Sequence, residues 1–245
     1  MTINVKAYYK DMTEMPWGKL FYQLLFEQID KNIASGAKVL DFGSGLGFTA
    51  KHLSDKYEVI AYEPNSQMIS YSVNEGNFRQ LTGDLDEFID VMKEEKQKFD
   101  FIVIHNVLEY VSDKKDILTL LVNLLNTGGK ISIVKHNPNG AILSQAVLQD
   151  NPKEALNLLN GEEKKSENFG TINEYENHFL EDILGGAGLK QKELYGIRIF
   201  YGLSSNTEVK FTDEWYDNML ELERRTYENS DFVNIAFFHH LIFKA

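Results

Sequence analysis

The chain reads as an α/β protein on a doubly wound, mostly parallel, seven-stranded sheet. Three observations carry this. Short apolar runs alternate with helical periods from about residue 39 to residue 134, the spacing of βαβ units. A glycine turn, Gly43, Gly45 and Gly47, follows the first apolar run directly. The 245 residues are 43% hydrophobic, ample for one sizeable core.

The elements follow in order. Residues 1–17 are polar and aromatic, with little period. Residues 18–32 place Leu20, Phe21, Leu24, Leu25 and Ile29 at helical spacing, so 1–32 is expected to be a helical cap. A core over 33–136 is expected to hold strands at Val39–Phe42, Val59–Tyr62, Phe78–Leu81, Phe101–Ile104 and Ile131–Val134. Helices are expected near 48–53, after an Asn65 or Ser66 cap, at 87–92 and at 117–125. Residues 137–171 carry Asn, Gly, Pro, Lys and Glu around one helical piece, Ile142–Val147, and suggest an inserted lid. Over 172–245 the pattern gives a helix at Tyr175–Leu184 stopped by Gly185-Gly186, a strand at Leu194–Tyr201, a helix at Glu214–Tyr227 and a strand at Ile235–Phe243. The last strands lack a crossover and are expected to pair antiparallel. The whole of 1–245 is read as one domain.

Composition excludes several classes. Net charge is −12, and only Arg79, Arg198, Arg224 and Arg225 are arginines, so a broad phosphate-binding face is not expected, DNA is not expected as a partner, and only a small local basic patch stays open. Cysteine is absent, which removes disulfides and thiolate metal sites. There is no apolar run of membrane-spanning length and no signal-like start. A cytoplasmic monomer or homodimer is the simplest reading.

Asp41, Glu63, Asp84 and His105 fall at or just past strand ends, where open sheets bind ligands. Asp41 stands two residues before Gly43, where its charge opposes a diphosphate on the helix N-terminus. The third glycine also comes one residue early for the dinucleotide pattern. An ammonium-bearing nucleoside, S-adenosyl-L-methionine, fits both facts. Glu63 is placed to take the ribose hydroxyls. Asp84, after Gly83, is placed either to accept from the adenine amino group, with Leu85 against the ring, or to cap a helix. His105 and Asn106 are expected at the sulfonium end, and His105 has no partner ligand for a metal. Arg198 suits an anionic acceptor, since its fork matches a carboxylate or phosphate. Tyr201 is expected to assist it, and His136 ends a strand on the active-site edge, where solvent exposure is the competing reading.

Val39–Phe48, Tyr62-Glu63-Pro64, Gly83-Asp84-Leu85, Phe99-Asp100-Phe101 and Leu125–Lys130 together resemble the class I S-adenosylmethionine-dependent methyltransferases. The resemblance implies a Rossmann-like methyltransferase fold. It also implies a cofactor-binding set of Asp41, Gly43, Ser44, Gly45, Glu63, Pro64, Gly83, Asp84, Leu85 and His105. A looser, nearly chain-long resemblance rests on His105–Val111, His136-Asn137 with Gly140, Gly196–Phe200 and Leu220–Glu223. These look like the tRNA 5-carboxymethoxyuridine methyltransferases, which esterify a wobble-base carboxylate. That group's first-helix arginine corresponds to Phe21 here, with Lys19 nearby. Three functions remain open from the sequence: a tRNA carboxylate methyltransferase, a small-metabolite methyltransferase, and a non-catalytic cofactor-binding or interaction module.

Overall fold

The computed structural model describes residues 4–72, 76–162, 164–166, 170–204 and 207–245. Residues 1–3 of the expected cap, and 163 and 167–169 of the expected insertion, lie outside these.

Two helices come first. Asn4 caps α1 (Val5–Glu14) by accepting the Ala7 N–H at 3.2 Å. Residues 1–17 were read as having little period within the expected helical cap, and only Val5 and Met12 of this helix are buried. Pro16 starts α2 (Pro16–Asp30), where its missing N–H costs nothing. The periodic set Leu20, Phe21, Leu24, Leu25 and Ile29 is fully buried there.

The sequence from residue 38 to 136 alternates as expected. It runs β1 (Lys38–Phe42), α3 (Phe48–Ser54), β2 (Glu58–Tyr62), α4 (Ser66–Ser70), β3 (Arg79–Leu81), α5 (Leu85–Glu94), β4 (Phe99–His105), α6 (Lys114–Asn123) and β5 (Leu125–His136). The strand β5 begins six residues before the expected Ile131 and takes in the Thr127-Gly128-Gly129 turn, with Gly128 at φ +75°.

The region read as a lid holds more structure than one helical piece. It contains α7 (Pro138–Leu143), a π-helical turn Ser144–Leu148, α8 (Pro152–Leu159) and an antiparallel pair, β6 (Lys164–Ser166) with β7 (Gly170–Ile172). Then come α9 (Asn177–Gly186), β8 (Lys190–Ile197), α10 (Asp213–Thr226), α11 (Ser230–Val233) and β9 (Phe238–Lys244). The helix α9 ends at Gly186, at the expected Gly185-Gly186 stop, and the turn closes two residues on, where Gly188 at φ +90° lets Leu189 N–H reach the Leu184 carbonyl at 2.9 Å.

Seven strands make the sheet, in the order β3-β2-β1-β4-β5-β9-β8. β1 runs parallel to β2 and to β4, with Asp41 opposite both Ala61 and Val103. Strand order reverses between β1 and β4, and the crevice at such a switch point is where ligands of open sheets bind. Asp100 sets the register at the other end. Its Oδ2 accepts the Lys38 N–H at 2.9 Å and its Oδ1 accepts from Asn126 at 2.7 Å.

The chain divides into two compact units. The first comprises the residues up to Gln28 with Val134–Asn177 and Glu193–Leu241; the second comprises Ile29–Ile133, His178–Lys192 and Ile242–Ala245. The second is centred on β1, β2 and β4, whose Val39, Leu40, Phe101, Ile102 and Val103 are all but wholly buried. In the first, Asn137 donates to the carbonyls of Asn234 and Ala236, at 3.0 and 2.8 Å, which pins the chain leaving β5 to the segment before β9. His239 and His240 are buried there, His240 against Gln28 Oε1 at 2.8 Å, and burial lowers their pKa to about 4 and about 3. They are structural and uncharged. Among the described residues no helix is long and apolar enough to cross a membrane.

Gly140 tests this packing. A Cβ there would lie 2.2 Å from the Ala236 carbonyl oxygen, a backbone atom that cannot swing aside. Gly140→Ala is expected to destabilise the protein by about 2 kcal/mol or more, read as a lowered thermal midpoint.

Candidate functional site

The second unit gathers several of the singled-out residues at the carboxyl ends of β1, β2 and β4. Asp41 enters the interior because β1 is covered on both faces, and only 3% of its surface is exposed. Its carboxylate accepts the Ala50 N–H from the first turn of α3, while Oδ2 has no hydrogen-bond partner. Burial pushes its pKa up to about 7; the Ala50 amide opposes this and the Glu63 charge adds to it.

The glycine turn follows from backbone demands. Gly43, Gly45 and Gly47 all take positive φ, at +77°, +56° and +76°. Gly43 and Ser44 both donate to the Tyr62 carbonyl, at 2.8 and 2.9 Å, which ties the turn to the end of β2. At Gly43 a Cβ would sit 2.4 Å from Val107 Cγ2, so this position is closed to every side chain on steric grounds as well.

Glu63 locks the turn. Its Oε2 accepts the Gly45 N–H and its Oε1 the Asn65 N–H, both at 2.8 Å. Burial raises its pKa and the two amides hold it down. Each carboxylate oxygen keeps a further lone pair for a donor. Asp84 forms the helix cap that was one of its two readings: Oδ1 accepts the Glu87 N–H at 2.9 Å and Glu87 returns the bond to the Asp84 N–H at 3.1 Å. Asp84 and Pro64 are exposed, and Leu85 is half-buried. Gly83 sits at φ +105°, with its carbonyl accepting from the Tyr62 hydroxyl at 3.2 Å. His105 ends β4 with Nε2 2.8 Å from Ser132 Oγ. Asn106 next to it is held at φ +53°, an uncommon conformation for a side-chain-bearing residue, and its buried Oδ1 has no partner. Three partnerless buried atoms, Asp41 Oδ2, Ser44 Oγ and Asn106 Oδ1, thus mark this part of the second unit. Such groups call for a ligand that supplies donors.

The first unit builds a different site, around Arg198. Arg198 was expected within a strand. β8 in fact ends at Ile197, and Arg198 takes φ +61°. The cause is Glu223 of α10, wholly buried, which withdraws the next three amides from sheet pairing. Its Oε2 accepts the Ile199 N–H at 2.9 Å, and its Oε1 accepts those of Phe200 and Tyr201 at 2.8 and 3.1 Å. The Arg198 guanidinium carbon lies 4.8 Å from the Phe237 ring, 5.1 Å from Trp17 and 5.5 Å from Tyr201. Its Nε is buried without a partner, and burial lowers its pKa to about 10. Tyr201 is buried edge-on to Trp215, and burial raises its phenol pKa. His136 is half-buried against the same aromatic cluster, 4.8 Å from the Phe238 ring, rather than solvent-exposed. Phe21 packs edge-on to that Phe238 ring at 5.2 Å, and Lys19 is exposed.

Sequence reading missed two residues of this unit. Glu223 left a signal: with Leu220 and Thr226 it shares the buried face of α10, where a charge needs a reason. Lys210 lies in a short 3₁₀ turn, Val209–Phe211, and left none. Among the described residues no cluster of three His, Asp or Glu is arranged to hold a metal.

A methyltransferase domain family matches residues 17–194, more than two thirds of the chain. The chain belongs to that methyltransferase domain family. It is an enzyme that transfers methyl groups from S-adenosylmethionine. Among curated relatives, the tRNA 5-carboxymethoxyuridine methyltransferase of Escherichia coli (strain K12) is 23% identical over 241 residues, covering 91% of this chain and 87% of the relative. A S-adenosylmethionine-dependent methyltransferase from Archaeoglobus fulgidus superposes with a TM-score of 0.58 at 17% identity, covering 99% of this chain and 100% of that one. The plantazolicin methyltransferase in complex with S-adenosylhomocysteine gives 0.57 at 16%, covering 98% and 88%. At these identities the structures speak to the fold.

Asp41→Asn separates stability from binding. The folded protein keeps the Asp41 proton up to about pH 7, whereas the unfolded chain sheds it near 3.8. The ligand-free protein therefore loses stability as pH rises between those values, and at pH 8 the full cost of the buried charge is present. Asp41→Asn is expected to raise ligand-free stability at pH 8 by about 2 kcal/mol and to weaken S-adenosylhomocysteine binding at least about a hundredfold. Paired melts and titrations check both.

Proposed function

We propose that the chain esterifies an anionic acceptor, and that the acceptor is the carboxylate of a 5-carboxymethoxyuridine in tRNA. Arg198 carries this reading. A guanidinium held among Trp17, Tyr201 and Phe237 without a carboxylate partner suits a flat ring bearing a carboxylate. The tRNA assignment draws on the curated relatives and on the chain-long resemblance through Gly196–Phe200 and Leu220–Glu223.

The residues of the second unit fit S-adenosylmethionine. Asp41 Oδ2 would take the ammonium, and Glu63 the ribose hydroxyls. Ser44 Oγ and the amides of the glycine turn would hold the amino-acid tail. Leu85 and Asp84 would meet the adenine, with Pro64 and Gly83 shaping its edges, and His105 and Asn106 would border the sulfonium. When bound, S-adenosylmethionine supplies a methyl group whose bonding pair departs with sulfur, so a carboxylate becomes a methyl ester and no proton moves. A carboxylate is ionised at neutral pH and needs no general base. Arg198 would orient that carboxylate, with Tyr201 closing one side and His136 the aromatic wall.

A second reading, a small carboxylate metabolite as acceptor, is favoured by the −12 net charge and the scarcity of arginine. Transfer of a labelled methyl group into extracted tRNA and into a small-molecule fraction distinguishes the two. The tRNA reading expects label in RNA that mild base releases as methanol, since only an ester is so labile. Label confined to small molecules, or stable to base, would overturn it. Arg198→Ala is expected to raise KM for the acceptor at least about tenfold with cofactor affinity little changed.

A further inference from the structure

Lys210 is buried, 7% exposed, yet among the described residues no carboxylate forms an ion pair with it. Its Nζ sits 4.3 Å over the Tyr201 ring and 6.0 Å from that of Trp215, and donates only to the Tyr201 carbonyl at 3.3 Å. Arg198 lies against the same Tyr201 ring at 5.5 Å and likewise lacks an ion-pair partner. The acid beside them, Glu223, has both oxygens committed to the amides of Ile199, Phe200 and Tyr201. Two buried cations thus lie against the Tyr201 ring, with one buried carboxylate on the backbone beside it, a surplus of one positive charge in a chain whose net charge is −12. A buried ammonium without a counter-ion is costly, and burial together with the neighbouring Arg198 lowers the Lys210 pKa.

We propose that Lys210 is a second cation of the acceptor site, and that with Arg198 it selects a singly charged carboxylate over both a neutral ester and a doubly charged phosphate. This deepens, and rests on, the reading of Arg198 as the holder of an anionic acceptor. One carboxylate brings the cluster to neutrality. A phosphate dianion overshoots to a net negative charge, and a neutral group leaves the surplus in place. The same arithmetic favours product release, because esterification removes the charge that held the acceptor.

The probe is phenoxyacetate, a ring carrying the –O–CH₂–COO⁻ group, compared with its methyl ester and with phenyl phosphate. Each is titrated calorimetrically at about pH 7.5 in saturating S-adenosylhomocysteine. Phenoxyacetate is expected to bind at least about tenfold tighter than either comparator. Lys210→Met, which keeps the apolar stem, is expected to weaken phenoxyacetate about tenfold with S-adenosylhomocysteine affinity unchanged, and Lys210→Arg to restore most of the loss. Should Lys210→Met fail to fold, Lys210→Gln is scored in its place. Wild-type affinity for phenoxyacetate in the Lys210 variants, alongside a loss in Arg198→Ala, would remove Lys210 and leave the anionic-acceptor reading standing. Tightest binding by phenyl phosphate would overturn the charge selection. No binding of any probe by a protein that still binds S-adenosylhomocysteine would overturn the anionic-acceptor reading itself.

Discussion

A carboxylate buried at the tip of a parallel strand is the constraint around which the glycine turn is built. Asp41 is nearly solvent-free, meets a single helix amide, and has one oxygen facing nothing. Its pKa near 7 expresses that cost. The surrounding structure is arranged around it. Three left-handed glycines keep side chains out of the space, the Tyr62 carbonyl ties the turn to the next strand, and Glu63 fixes the turn by accepting from Gly45 and Asn65. Two carboxylates beside one glycine turn repel a diphosphate and attract a cation. The preference between a dinucleotide and a sulfonium nucleoside follows from this electrostatic fact.

The first unit solves the opposite problem. It buries positive charge, on Arg198 and Lys210, and spends its nearest negative charge on backbone. Glu223 accepts three consecutive amides and in doing so ends β8 at Ile197 and turns Arg198 into a left-handed conformation. A helix-borne acid thereby determines where an arginine on a different element points. The aromatic rings around Arg198 stabilise a guanidinium without neutralising it.

The parallel strands from β1 to β4, their helices and the glycine turn were legible in the sequence, because a strand buried on both faces is a continuous apolar run and a positive-φ turn demands glycine. The Asn65 and Asp84 caps were legible for the same local reason. The stop of α9 at Gly185-Gly186 was legible, while the left-handed residue that closes the turn, Gly188, lies two positions on. Within the expected helical cap, α1 buries two residues and so shows little period. What escaped was decided by distant partners. Arg198 was expected in a strand and lies outside it, since Glu223, 25 positions later, diverts the chain. Lys210 owes its importance to an aromatic face that no local pattern announces.

The central claim is that Asp41 gives up its proton to accept the ammonium of S-adenosylmethionine. Calorimetric titration of S-adenosylhomocysteine, which carries the same ammonium, at about pH 6.5 in two buffers of different ionisation enthalpy counts the protons released on binding. The account predicts release of most of one proton, absent in Asp41→Asn, and affinity that falls as pH drops below about 7. Binding with no proton released and no dependence on pH through that range would contradict it.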